Sequence, residues 1–141
     1  MAVQYGQQIT DAWTAVDTAL AVNAGATVNG GSMNIGANTD PQAVVVRLQL
    51  GLTNNAGVPS EGYDMDIIVQ HSRDNATWPD NGEGQSLGNW YSAVVGAGIT
   101  RSRYIEFQPM DRYSRLQYTS GCAADQYLVT MTAKQVFMQA G

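Results

Sequence analysis

The chain has 141 residues, 12 acidic against 7 basic side chains, and a net charge of −5. That length fits one domain with a core of its own, and the charge excludes the basic surface that nucleic acid or an anionic membrane requires. Charged residues make up only 13% of the chain against 44% hydrophobic, so Asn, Gln, Ser, Thr and Gly must supply the surface, a composition better tolerated inside an assembly than by a free monomer.

The first residues, Met1-Ala-Val-Gln-Tyr-Gly-Gln-Gln, lack the charged start and apolar stretch of a signal peptide. Apolar runs everywhere fall short of the ~20 residues of a membrane helix. Residues 1–17 read as an N-terminal arm. Ile9, Trp13, Val16 and Leu20 fall near helical spacing behind a capping Thr10, with an extended arm as the rival reading.

From residue 18 onward the period is two. Short strands are expected at Thr18 to Val22, Thr27-Val28 and Ser32 to Ile35. Val44, Val46, Leu48, Leu50 and Leu52 then share a face opposite Arg47 and Gln49, the mark of a strand buried on one side. Met65, Ile67, Val69 and His71 alternate with Asp64, Asp66 and Gln70. Arg103, Ile105 and Phe107 alternate with Tyr104 and Glu106, and Leu116 and Tyr118 with Arg115 and Gln117. Tyr127, Val129, Met131, Ala133 and Phe137 alternate with Thr130, Thr132 and Lys134. Turn signals separate these runs at Gly25, Asn29-Gly30-Gly31, Asn54-Asn55, Pro59, Pro79-Asp80-Asn81-Gly82 and Ser120-Gly121. Many short strands with such turns predict an all-β, single-domain, jelly-roll-like antiparallel β-sandwich over 18–141. The connection 73–99 is longer than a turn needs and is expected to carry contacts, with a further strand within Leu87 to Val95.

Groups able to do chemistry are sparse. His71 is the lone histidine and sits on the inward face of its strand, as a core histidine would. Cys122 is the lone cysteine, so it forms no internal disulfide and fits synthesis in a reducing cytoplasm. Asp64 and Asp66 share a strand face, which fits a solvated surface or a salt bridge to another subunit as well as acid–base work. Asp74, Asp80, Asn81 and Glu83 offer oxygens without the spacing of a calcium loop. No catalytic set, cofactor or metal is therefore expected, and the chain reads as a non-enzyme. Trp78, Trp90 and Tyr91 lie in or beside the long connection, as a lid on the sandwich, as anchors of a protein interface, or as a stacking platform for sugars. Arg101, Arg103, Arg112 and Arg115, with Tyr104, Tyr113 and Tyr118, form an Arg/Tyr-rich stretch suited to a polar protein interface or to pairing with Glu106 and Asp111.

Two motifs go further. Ser72-Arg-Asp74 through Trp78 follows a strand, and Arg112-Tyr113-Ser-Arg115-Leu116-Gln-Tyr118-Thr119 opens a later one. In order and spacing, over roughly residues 18 to 138, they resemble the jelly-roll cement, or head-decoration, proteins of short-tailed bacteriophages. The resemblance implies a virion protein made in the host cytoplasm, bound to the outer surface of the major capsid lattice and to itself as a homodimer or homotrimer. With the residues above it points to Tyr5, Trp13, Trp78, Trp90, Tyr91, Arg101, Arg103, Arg112, Tyr113 and Arg115 as interface contacts. The longer N-terminus and longer 73–99 segment depart from that pattern. A phage tail or baseplate protein and a carbohydrate-binding sandwich module remain the alternatives.

Overall fold

A computed structural model describes residues 7–10, 12–35, 43–56, 58–91, 93, 96 and 98–139. Ten strands follow in chain order: β1 (Gln7–Thr10), β2 (Thr14–Val22), β3 (Thr27–Asn29), β4 (Met33–Asn34), β5 (Ala43–Asn54), β6 (Asp64–Ser72), β7 (Gln85–Tyr91), β8 (Thr100–Phe107), β9 (Tyr113–Ser120) and β10 (Tyr127–Gln139). They form two five-stranded sheets. Sheet A has the order β1-β10-β5-β8, with β2 also on β10; sheet B has β3-β9-β6-β7, with β4 also on β9. Every pairing is antiparallel. The fold is an all-β antiparallel sandwich of jelly-roll type.

The alternating apolar residues face one another between the sheets. Val46, Leu48, Leu50 and Leu52 of β5 and Tyr127, Val129 and Met131 of β10 meet Met65, Ile67 and Val69 of β6 and Leu116 and Tyr118 of β9, all buried. Two inner faces filled in this way make the core of a sandwich.

The N-terminal segment is extended. β1 lies along the C-terminal end of β10, from Gln7 opposite Gln139 to Thr10 opposite Val136, and β2 runs unbroken across positions 17 and 18. The helical spacing of Ile9, Trp13, Val16 and Leu20 is not realised; Thr10, Thr14, Val16 and Thr18 are β-branched and favour strands.

Three irregularities decide which side chains face the core. In β2, Ala19 has φ +48° and the register with β10 shifts beside Met131. The extra residue resets the alternation, so Asp17 rather than Thr18 follows Leu20 inward and is buried. In β10 the register with β5 slips between Val136 and Phe137, which buries Val136 in place of Phe137 and leaves Val44 exposed. On β7, Gly88 (φ +101°) sits at a bulge opposite Ile67 and Ile68, and Trp90 pairs with Met65 and turns inward.

Candidate functional site

Part of the outer face of sheet B, around Gln70 and Gln117, is covered by the chain's own loop, while an open hollow of about 490 Å³ remains beside it between Asp66, Ile68, Asn89 and Thr119. Residues 73–84 leave β6, fold back over β6 and β9, and return as β7. Two buried glutamines pin them. Gln70 donates its amide to the carbonyls of Asp80 at 3.0 Å and Glu83 at 2.9 Å. Gln117 accepts from the Gly82 N–H at 2.7 Å and donates to Asn81 Oδ1 at 3.0 Å and Asn29 Oδ1 at 2.8 Å. Asp74 shapes the start of the loop: its Oδ1 accepts the N–H groups of Ala76 and Thr77 and the Ser72 hydroxyl. These bonds hold its carboxyl far below the usual aspartate value, those from Thr77 and Ala76 most. The loop rejoins the sheet at Gly84, where a Cβ would stand 2.5 Å from the Val69 carbonyl oxygen; only glycine fits so close to fixed backbone.

This arrangement brings the two sequence motifs together. Gln70, His71 and Ser72 pair with Arg115, Ser114 and Tyr113. The Arg115 guanidinium lies 4.4 Å from the Trp78 ring centroid and donates to Gln70 Oε1 at 3.0 Å. His71 Nδ1 meets Ser114 Oγ at 2.8 Å; burial pushes its imidazole below the ordinary histidine value, against the opposing charge of Asp111. Trp78 is thus part of a lid, and Arg115 is its clamp.

Among the described residues, no loop is pinned over the outer face of sheet A in this way. Strands β10, β5 and β8 lie side by side, and their outward residues form rows across the face: Lys134–Arg47–Glu106, Thr132–Gln49–Tyr104, Thr130–Gly51–Ser102 and Leu128–Thr53–Thr100. Trp13, just before β2, reaches over the first rows. Its ring meets Tyr104 edge-on at 6.4 Å, and the Lys134 ammonium sits 5.2 Å from it. The two rings are 40% and 67% exposed. They border a groove of about 420 Å³ with Arg47 and Glu106, which pair at 3.8 Å. A second hollow of about 340 Å³ continues along the face between Gln49, Gly51, Thr100, Ser102, Thr130 and Thr132.

The residues named from sequence therefore separate. Trp90 is only 8% exposed, edge-on to Tyr63 at 5.2 Å; it is a core residue, and the expectation of a surface contact there is corrected. Trp78 and Arg115 are engaged with each other. Arg112 lies over the Tyr113 ring at 5.2 Å. Tyr91 is 73% exposed on the edge strand β7, and Arg101 is exposed on the opposing edge strand β8. Arg103, also on β8, has Nη2 3.8 Å from where a Cβ on Gly88 would lie, so it spans the gap between these two edges. Tyr5 lies outside the described residues. Sequence alone did not single out Tyr104 with Trp13, because positions 13, 104 and 134 meet only through the sheet order.

Other polar groups serve the frame. Asn89 donates to both Asp64 at 2.6 Å and Asp66 at 2.8 Å. The buried Cys122 thiol points at the Gly62 carbonyl at 3.3 Å. Among the described residues, no three His, Cys, Asp or Glu side chains gather where they could hold a metal.

No protein-family model matches the chain, and no curated protein matches it. Among solved structures, dimeric latent PorU from Porphyromonas gingivalis superposes with a TM-score of 0.57 at 11% identity, over 96% of this chain and 13% of that one. This chain thus spans about an eighth of the PorU chain, and at that identity the likeness concerns the fold alone. The CBM22-1 xylan-binding domain of Paenibacillus barcinonensis Xyn10C gives 0.44 at 13% identity over 99% of both chains. The structure of infectious bursal disease virus Gx strain gives 0.46 at 13%, over 99% of this chain and 34% of that one.

Proposed function

We propose that this β-sandwich is a virion structural protein that decorates a bacteriophage head. It binds the major capsid protein on the outer shell surface and associates with itself as a homodimer or homotrimer. The observation that carries this reading is the meeting of Ser72 with Tyr113 and of Trp78 with Arg115. The two segments that resemble cement proteins, some forty residues apart, form one contiguous unit built from a strand pair and its lid.

The action is mechanical and carries no catalytic step. A subunit that bridges neighbouring capsomers adds interface area, about 1,600 Å² for a standard contact. Repetition over a closed shell sums many modest contacts. The exposed edge pair of β7 and β8, with Tyr91 and Arg101, and the Arg112–Tyr113 end of β9 suit such contacts, since Tyr and Arg are favoured in interface cores. The same edges suit self-association.

Quantitative mass spectrometry of purified particles measures copy number against the major capsid protein. Hundreds of copies per particle are expected, following the symmetry of the shell. A count fixed by one vertex or one tail ring would overturn the head assignment.

A further inference from the structure

We propose that the open face of sheet A is a binding site for an oligosaccharide chain, with Trp13 and Tyr104 as its aromatic platform. The face adjoins the β8 edge assigned above to capsid contacts, but the claim does not depend on them.

A sheet face that packs on nothing usually turns polar and solvated. This one keeps two large exposed rings in mutual contact, held by Lys134 over one of them. Exposed aromatic clusters beside a concavity mark sites of interaction. The partner's chemistry follows from what lies next to the rings. Gln49 and Thr132 share the Tyr104 row, and Ser102 flanks Gly51 one row on, about 7 Å away by strand geometry. None of the three side chains makes a hydrogen bond among the described residues, whereas Gln70 and Gln117 on sheet B are fully used by the lid. The hollow beside Gly51 is lined by Gln49, Thr100, Ser102, Thr130 and Thr132, which carry hydroxyls and an amide, together with Leu50.

Sugars present flat C–H faces to aromatic rings and hydroxyls that both donate and accept, as Gln, Ser and Thr side chains do. Nucleic acid is disfavoured by the single ion pair and one lysine as the only charges on these rows. A protein partner would more often find a wider apolar centre than two rings beside a polar lane. The lane extends over several rows, which suits a chain of residues rather than one sugar. The balance of Arg47 and Lys134 against Glu106 leaves one excess positive charge at the Trp13 end, compatible with a neutral glycan or one bearing a carboxylate there.

The test probes the full chain on an array of bacterial surface, plant, fungal and animal oligosaccharides, with calorimetric titration of the strongest hit. Trp13→Ala, Tyr104→Ala and Gln49→Ala are compared with Met110→Ala, an exposed residue that lines neither hollow. Binding is expected, weakened at least about tenfold by each ring removal and measurably by Gln49→Ala, with Met110→Ala unchanged and urea midpoints retained. A silent array, or binding that survives loss of both rings, would overturn the site. So would a concentration-dependent dimer that Tyr104→Ala dissolves, which would assign the face to a second copy. Particle copy number is read separately, so failure here and failure of the decoration reading are distinct results.

Discussion

Replacing Asp17 with Ala should cost about 3 kcal/mol of folding stability, because it orphans two buried donors at about 1–3 kcal/mol each. The Asp17 carboxylate is buried on the edge of sheet A. It accepts the Gly31 N–H at 2.7 Å and the Tyr118 hydroxyl at 2.9 Å, and Tyr118 is fully buried in sheet B. The bond therefore ties the sheets across one open side of the sandwich. Gly30 packs so closely that a Cβ would stand 2.6 Å from Asp17 Oδ2. Urea unfolding at constant m reads the change. Tyr118→Phe should cost less, and the double variant should cost less than the sum, because the two share one bond. Tyr118 adds a pH signature. Burial first, then the Asp17 charge and hydrogen bond, raise its phenol well above the ordinary tyrosine value. A raised folded value means that the stabilisation is full below the unfolded pKa and is lost as pH rises through the folded one. The urea midpoint should fall above about pH 10, and Tyr118→Phe should reduce that fall, leaving the part due to Tyr127, whose phenol burial also raises. An Asp17→Ala midpoint close to that of the parent chain would show that the clasp holds nothing.

At the opposite limit of pH, Asp125 and Glu61 should govern acid stability. Asp125 is buried and accepts from Asn54 Nδ2 at 2.9 Å, Ser60 N at 2.8 Å, Ser60 Oγ at 2.7 Å and Glu61 N at 3.1 Å. Glu61 returns the favour to the other loop, accepting the N–H groups of Ala123, Ala124 and Asp125. Each carboxylate satisfies backbone that would otherwise be left unpaired. The Asn54 amide and the Ser60 groups hold Asp125 far below the ordinary aspartate value, and the three backbone donors, Asp125 first, lower Glu61 below the ordinary glutamate value. Depressed folded values stabilise above the unfolded pKa and lose that stabilisation as pH falls through the folded one. The midpoint should therefore begin to drop below about pH 5 and go on dropping below about pH 3 as Asp125 takes up its proton. Asp125→Ala should lower it already at neutral pH and flatten the acid limb. An acid limb of unchanged steepness in Asp125→Ala with Glu61→Gln would assign acid sensitivity elsewhere.

Much of the frame was legible because a half-buried strand writes its burial into alternating residues. Leu48, Leu50 and Leu52, or Ile67 and Val69, could face only one way. Reading stopped where one extra residue changed the count. Nothing in Thr14 to Val22 announces the bulge at Ala19, so Asp17 reads as surface though it lies in the core. Trp90, within the strand expected over Leu87 to Val95, reads as a surface contact until its pairing with Met65 is known. The lid is hidden for a different reason: Gln70 and Gln117 look like ordinary exposed amides, and only their burial shows that they hold 73–84 down. The open face needs the order β10-β5-β8, which local pattern does not encode. The motifs, by contrast, were visible as words, and their contact through Arg115 and Trp78 emerged only in three dimensions.

The most direct measurement is co-sedimentation of the purified chain with expanded capsid shells prepared without it, followed by heating of the loaded shells. Decoration predicts saturable binding at hundreds of copies per shell and survival of the loaded shells to a higher temperature than bare ones. Absence of binding, or occupancy confined to a single vertex with no gain in heat resistance, would contradict it.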